Sequence, residues 1–345
     1  MNSPGPRPVK LRIEVEKWPL KAPFRIAGHT MIDVLVVVVI LEHDGYVGRG
    51  EAAGVYYLGD DTTAMVKGLE AIRSRIEAGI DRPSLQMLLP AGGARNALDC
   101  ALWDLEAKLT GLHAWEMAGL KRPGPLVTTF TCGADEPEKM VEVARSYTHA
   151  RAIKLKLTGQ PVDARRVAAV RAAREDVWLG VDANQGLNRE SFEKLLPALI
   201  DARVSLIEQP FPIGCESWLE GLQSSIPIAA DESIQTLADL RRVANHVQVV
   251  NIKLDKCGGL TEGLAMARAA TALGLDCMVG SMLGTSLSVV PAWLLGQLCS
   301  IVDLDSPVFL KTDRDITVGY AGGKVSASPG LWGGPGLASQ KTRDP

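Results

Sequence analysis

Five charged residues stand at nearly even intervals along the 345-residue chain. Lys156 ends IKLK, Asp182 sits in LGVDANQG, Glu208 in SLIEQPF, Asp231 in IPIAADES and Lys256 in VVNIKLDKCGG, at steps of 26, 26, 23 and 25 residues. Three carboxylates brought to one place repel one another. A hard divalent cation relieves that repulsion, and an all-oxygen set favours Mg²⁺ or Mn²⁺ over zinc. Two lysines flanking such a site form an acid/base pair: one takes a proton from a carbon, the other returns one to the opposite face. The proton next to a carboxylate is very weakly acidic. Its loss leaves an enediolate dianion that a metal and cationic neighbours stabilise. A lysine acts as a base near neutral pH only if its pKa is lowered. Lys154, two residues from Lys156 and pointing the same way on a strand, supplies like charge for that purpose.

The elements that must position these groups follow from the spacing. Each of the five closes a short apolar, mostly β-branched run, with helical patterns between. From residue 125 the runs are VTTFTC, RAIKLKL, VWLGVDA, VSLIEQP, IPIAADE, VQVVNIK, LDCMVGS and CSIVDLD. One strand plus one helix per period predicts βα units in a parallel sheet, and eight such runs close a barrel. Strand C-terminal ends share one mouth. In a ring of eight, the second and sixth strands oppose each other, so Lys156 and Lys256 face across the pocket with the carboxylates on the arc between. On the eighth run, Asp303 and Asp305 share a face by the two-residue period, across from the metal. A carboxylate pair there suits a ligand ammonium. A dipeptide carries its carboxylate and its ammonium at about that separation.

The N-terminal third reads differently. Residues 8–18 alternate apolar and polar, 33–42 form a second strand, residues 43–45 a turn, and GYVGRGEA a third strand. Together they predict an antiparallel sheet. Helical pattern begins after residue 60. The strongest helix is ARNALDCALWDLEAKLTG at 94–111, with Leu102 and Trp103 in the core. The breaker-rich 119–125 marks a boundary. The predicted domains are α+β over 1–124, joined by a C-terminal segment at about 308–345, and a barrel over 125–307.

Composition narrows the function. Apolar residues make up 46%, charged residues 22%, and the net charge is −3, which suits a globular protein with a real core and gives no basic field for nucleic acid or an anionic membrane. The longest apolar stretch, 34–41, is too short to span a bilayer, and MNSPGPRPVK has no apolar signal core. Six scattered cysteines fit a reduced cytoplasm. Five histidines without HxH or HExxH spacing speak against a zinc amidohydrolase. The composition leaves the oligomeric state open, a homo-oligomer included.

Taken in order, ARNALDCALWDLEAK, KLK, DAN, EQP, ADES, NIKLDKCGGLTE and DLDSP resemble the enolase superfamily, muconate-lactonizing subgroup, and within it the dipeptide epimerases of the L-Ala-D/L-Glu type. The resemblance implies an α/β fold, a modified (β/α)7β barrel with an α+β capping domain, and a cytoplasmic Mg²⁺-dependent isomerase that inverts the α-carbon of a dipeptide's C-terminal residue. It implies Lys156 and Lys256 as acid/base groups, Asp182, Glu208 and Asp231 as metal ligands, and Asp303 and Asp305 as the holders of the substrate ammonium. Thr131 matches a substrate-binding Thr, and Lys154 either contacts the substrate carboxylate or tunes Lys156. Ser281 and Met282, in the stretch leading into LGTS, join the substrate-binding set. Asn184 and Glu232 support the ligands, although Glu232, adjacent to Asp231, is expected to point elsewhere. Lys253 takes a minor or structural role. Two capping loops, 21–31 and about 53–61, close over the mouth, the second bringing Tyr56 and Tyr57. L-Ala-D/L-Glu epimerases carry an Arg in the first loop. Here the matching place is Gly28-His29 with Arg25 offset, so Arg25 and His29 are the candidate contacts and the preferred dipeptide stays open. Two alternatives also stand: an N-acylamino-acid racemase or cycloisomerase of the same superfamily, and a non-catalytic dipeptide-binding protein.

Overall fold

The computed structural model describes residues 8–26, 29–222, 224–328 and 330–335. Strands β1 (Lys10–Ile26), β2 (His29–His43) and β3 (Tyr46–Ala52) form an antiparallel sheet. Asp44 and Gly45, both at positive φ (49° and 78°), make the tight turn between β2 and β3, the backbone that two-residue hairpins favour. Of the segment 21–31, expected as a loop, residues 21–26 and 29–31 instead lie in β1 and β2, and 27–28 lie outside the described residues. The register shifts between Pro19 and Phe24, after which Phe24, Arg25 and Ile26 pair with Met31, Thr30 and His29. Pro19 has no N–H for the ladder, and pairing resumes once the chain has passed it.

The run 34–41 is apolar throughout because both faces of β2 are covered. Val37, Val39 and Leu41 pack with Met65, Leu69, Leu98, Ala101 and Leu105 of the helical layer. Val34, Val36, Val38 and Ile40 join the apolar cluster that continues into the barrel wall. The helices are α1 (Thr62–Ala71), α2 (Arg73–Glu77), α3 (Arg82–Leu88), α4 (Gly93–Thr110) and the short α5 (Ala114–Met117). Asp61 and Asp81 cap α1 and α3, accepting from Ala64 N and Ser84 N at 2.8 Å each.

The second unit contains β5 (Thr129–Cys132), β6 (Ala152–Lys156), β7 (Trp178–Asp182), β8 (Leu206–Glu208), β9 (Ile228–Ala230), β10 (Val249–Lys253), β11 (Asp276–Gly280) and β12 (Ile301–Asp303), hydrogen-bonded side by side in chain order, with every pair parallel. The ends meet through side chains: Thr128 Oγ1 accepts from Leu304 N at 2.9 Å and Thr129 Oγ1 donates to Asp303. Helices α6 (Pro137–Ser146), α7 (Asp163–Ala173), α8 (Arg189–Asp201), α9 (Leu240–Val243), α10 (Leu254–Cys257), α11 (Leu260–Ala272) and α12 (Ser286–Gly296) lie between the strands. Two expectations need correction. The fourth connection holds one 3₁₀ turn, Glu216–Leu219, rather than a helix, because Pro210, Pro212, Gly214 and Gly221 interrupt it. The first apolar run is split: β4 (Leu126–Val127) leaves the barrel to pair with β14 (Lys324–Ser326), which also pairs with β13 (Gly319–Ala321). From there the chain returns to the first unit, where Trp332 Nε1 donates to Arg49 O and Cys100 O at 3.0 and 3.1 Å.

The contact between β3 and α4 is flush. A Cβ on Gly50 would lie 2.1 Å from Ala97 O and 2.6 Å from Ala101 N, both backbone atoms. Gly50→Ala therefore forces the helix off the sheet and should destabilise the protein by about 1–3 kcal/mol, as overpacking does. Denaturant unfolding measures it. An unchanged midpoint would mean that α4 is not seated on β3 in this way.

Candidate active site

Inward-facing positions of the barrel strands recur with period two and change character along the strand. At the N-terminal end they are apolar: Trp178, Leu206, Ala229, Val249, Met278 and Ile301 form one cluster. Two to four residues further on they are charged or amide-bearing: Lys154 and Lys156, Asp182, Glu208, Asp231, Asn251 and Lys253. Asp182, Glu208 and Asp231 are buried, each offering a ligand oxygen within 4.8 Å of the others. Burial, and then the neighbouring charge of Asp182, push Glu208 up to about 8. Burial acts the same way on Asp231, but the ammonium groups of Lys253 and Lys256 outweigh it and hold that carboxyl well below the usual range.

Lys156 and Lys256 come from β6 and from α10 just past β10, second and sixth in the row of eight. Lys156 Nζ donates to Asp182 Oδ2 at 2.5 Å. Lys256 Nζ donates to Asp231 Oδ1 at 2.5 Å, to Asn251 O at 3.1 Å and to the Asp231 carbonyl. Lys154 does not stand as uncompensated like charge beside Lys156. It donates to Asp303 and to Glu208 (3.3 Å) and lies 3.7 Å from Asp182. Burial pulls its pKa down, but these carboxylates carry it well above the lysine range. Like charge falls instead on Lys256: burial first, and Lys253 as a further cause, lower its pKa although Asp231 opposes them. Lys253, two residues past Asn251 on the inward face, reaches Asp231 Oδ2 at 2.6 Å.

Asp303 closes β12, while Asp305 lies beyond the strand, before a 3₁₀ turn at Ser306–Phe309. Both are buried and both turn inward, so the strand period is not what aligns them. Asp303 is occupied by Lys154 and Thr129, and Lys154 outweighs burial to lower its pKa. Asp305 Oδ2 accepts from Thr131 N at 2.6 Å. Burial, with Asp303 nearby, pushes Asp305 up to about 7. Thr131 is on β5, in register with Lys154. Ser281 and Met282 follow β11 and are half-buried. The side chains of Arg25 and His29 lie outside the described residues.

Two polar groups at the site, Gln209 and Asn251, had little sequence signal. Gln209 Oε1 accepts from Asp231 N (2.9 Å) and Ser233 N (3.1 Å), fixing the backbone that carries Asp231. Asn251 Nδ2 donates to Glu208 Oε1 at 2.7 Å; its two-residue offset from Lys253 was the available clue. Asn184, at φ 42°, donates from N to Asp182 Oδ1 (2.9 Å) and from Nδ2 to Glu232 Oε1 (3.3 Å). Glu232 thus turns toward the cluster rather than elsewhere. Burial, with Asp231 and Asp182 adding to it, raises Glu232 to about 7. Tyr57, in the 3₁₀ turn Tyr56–Leu58, feels the charges of Asp231, Lys253 and Glu232, and its buried hydroxyl has no hydrogen-bond partner.

The donor set fits a divalent cation. Three carboxylates converge without a water-exposed edge, and Asn184 Oδ1, Asn251 Oδ1 and Glu232 Oε2 beside them are buried without partners. An all-oxygen environment of this kind selects a hard ion.

The family model for the mandelate racemase / muconate lactonizing enzyme N-terminal domain matches residues 9–119, and the enolase C-terminal domain-like model matches 139–316. The chain is 37% identical to the L-Ala-D/L-Glu epimerase of Escherichia coli (strain K12), over 91% of this chain and 98% of the relative. It is 38% identical to the N-acetyl-D-glutamate racemase of Pseudoalteromonas sp, over 87% and 95%. A crystal structure of an enolase family member from Agrobacterium tumefaciens with homology to dipeptide epimerases, holding sodium and L-Ala-L-Glu, superposes with a TM-score of 0.92 at 38% identity, covering 94% of this chain and 100% of that one. With both halves matched and the motifs in order on a barrel of eight parallel strands, the chain belongs to the mandelate racemase / muconate lactonizing enzyme family of the enolase superfamily.

Proposed function

We propose that this chain is a Mg²⁺-dependent dipeptide epimerase that moves a proton between the two faces of the α-carbon of the C-terminal residue, with Lys156 and Lys256 as its acid/base groups. One observation carries the reading: two lysines on opposite walls of the barrel each sit 2.5 Å from a different member of one buried carboxylate triad. A carbon between them shows one face to each. In one direction Lys256, deprotonated, takes the proton while the Lys156 ammonium donates to the other face; in the reverse direction the roles exchange. The lowered pKa of Lys256 favours its service as a base. Asp182, Glu208 and Asp231 would hold the Mg²⁺, whose charge, when bound, offsets the negative charge that develops on the substrate carboxylate as the proton leaves. In this reading Thr131, Lys154, Ser281 and Met282 are the further substrate contacts. Asp305, whose polar contacts leave it freer than Asp303, meets the substrate ammonium, with Asp303 backing it. L-Ala-L-Glu and its epimer are the first substrates to try, on the likeness to the Escherichia coli relative.

The likeness to the N-acetyl-D-glutamate racemase supports a second reading, racemisation of N-acylated amino acids. Such a substrate has no ammonium, and here Asp303 already has an internal cation in Lys154.

Three outcomes are expected. Lys156→Ala and Lys256→Ala each abolish epimerisation, while each keeps exchange of the α-proton with D₂O from one stereoisomer only. Mass spectrometry reads that exchange, and full epimerase activity in either variant would remove the two-base mechanism. Chelation abolishes activity, Mg²⁺ restores it, and added Mg²⁺ raises the thermal midpoint of the intact protein; an unshifted midpoint would count against an ion at the triad. Asp305→Asn lowers kcat/KM for free dipeptides about 10- to 100-fold, the worth of a charged hydrogen bond, and spares N-acylated analogues. If N-acylated substrates are turned over best and the substitution leaves them untouched, the racemase reading replaces this one.

A further inference from the structure

The two lysines are held in different ways. Lys156 stands on β6, with strand ladders to β5 and β7 on either side. Lys256 stands off the sheet on α10, a single turn of four residues. One turn is too short to hold itself, and the carbonyls at its end need partners from outside. Arg95, from the first turn of α4 in the first unit, supplies them: Nε donates to Gly258 O at 3.2 Å and Nη2 to Cys257 O. Gly258 is at φ 80°, and a Cβ there would lie 2.3 Å from Arg95 Nε, so the chain reversal and the guanidinium fit against each other. One helical turn along α4, Asp99 accepts from Thr261 N (2.9 Å) and Thr261 Oγ1 (2.6 Å), fixing the start of α11. On the other flank, Asp255 Oδ1 accepts from Ala53 N and Gly54 N, both at 2.9 Å. The turn that carries Lys256 is therefore gripped from both sides by the N-terminal unit.

We propose that Arg95 is a positioning residue for Lys256: by holding the carbonyls of Cys257 and Gly258 it sets where the Lys256 ammonium stands, and so governs proton transfer on one face of the substrate and not the other. The inference rests on the reading of Lys156 and Lys256 as opposed bases. A merely structural Arg95 would affect both faces alike. A misplaced Lys256, by contrast, affects only the isomer whose proton points at it, since a shift of about 1 Å costs on the order of 100-fold in rate.

The test is α-proton exchange in D₂O with Mg²⁺, started separately from L-Ala-L-Glu and L-Ala-D-Glu. Lys156→Ala and Lys256→Ala identify the isomer each lysine serves. Arg95→Lys keeps the charge but offers one donor group for two carbonyls. It should slow the isomer served by Lys256 by roughly 10-fold or more while leaving the other nearly unchanged. The ratio of the two rates does not depend on how much of the variant is folded. In the absence of substrate and metal, backbone amide exchange should quicken over residues 254–259 and not over 152–156. Parallel losses in both isomers, or a loosened turn with an unchanged rate ratio, would overturn the positioning role. No exchange from either isomer in the unsubstituted protein, across a dipeptide library, is the separate result that defeats the functional reading and this inference with it.

Discussion

Everything in the barrel mouth follows from having to neutralise charge without water. Asp182, Glu208 and Asp231 are nearly or wholly inaccessible and lie within 4.8 Å of one another. Isolated charges in such a place would cost far more than the fold's net stability. Four lysines answer them. Lys156 takes Asp182, Lys253 and Lys256 share Asp231, and Lys154 spans Glu208 and Asp303. The answer is uneven. Asp231, with two lysines, stays ionised; Glu208, with one at 3.3 Å and Asp182 beside it, is driven toward protonation.

The N-terminal unit belongs to the same construction. Glu51, on β3 and buried, accepts from Thr285 N at 2.7 Å and pairs with Arg314 at 2.6 Å, while Arg314 also reaches Glu16 on β1. Burial raises the pKa of Glu51 against the pull of Arg314 and Thr285. Thr285 caps α12 and follows the half-buried stretch that contains Ser281 and Met282. One wall of the mouth is thus tied to the antiparallel sheet through this buried carboxylate, and the Lys256 turn is tied to it through Arg95 and Asp255. The sheet and α4 act as a brace for the chemistry, beyond carrying loops.

What could be read from sequence was whatever repeats. The interval of about 25 residues located the five charged groups, because a βα unit has a fixed length and its strands end on one rim. Period two located Lys154 against Lys156. It did not account for Asp305, which turns inward from beyond the end of β12 and is held there by Thr131 N. Pairs that meet once have no period. Arg95 and Cys257 are 162 residues apart, and Glu51 and Thr285 are 234 apart, so nothing in either neighbourhood signals the other. Strands of two or three residues, such as β4, β13 and β14, are too short to alternate. In the fourth connection, helical pattern lost to proline. The resemblance placed a capping loop at 21–31, whereas strand pairing carries on past Pro19 to Phe24, Arg25 and Ile26.

The lysine environments bear on why a single family scaffold can serve several substrates. The ion pairs of Lys154, Lys156, Lys253 and Lys256 named above all run to carboxylates on barrel strands or at their ends. The 3₁₀ turn Tyr56–Leu58 and the far end of the β1–β2 hairpin come from the other unit, and neither contributes a carboxylate to the triad. Substitutions in those segments remove no carboxylate from the triad. Asp255 binds the Lys256 turn to Ala53 and Gly54, only two residues before the Tyr56–Leu58 turn. A change that moves this loop also pulls on the residue beside Lys256. On this scaffold the first hairpin supplies none of the triad's carboxylates, whereas the second loop is hydrogen-bonded to the turn that carries Lys256.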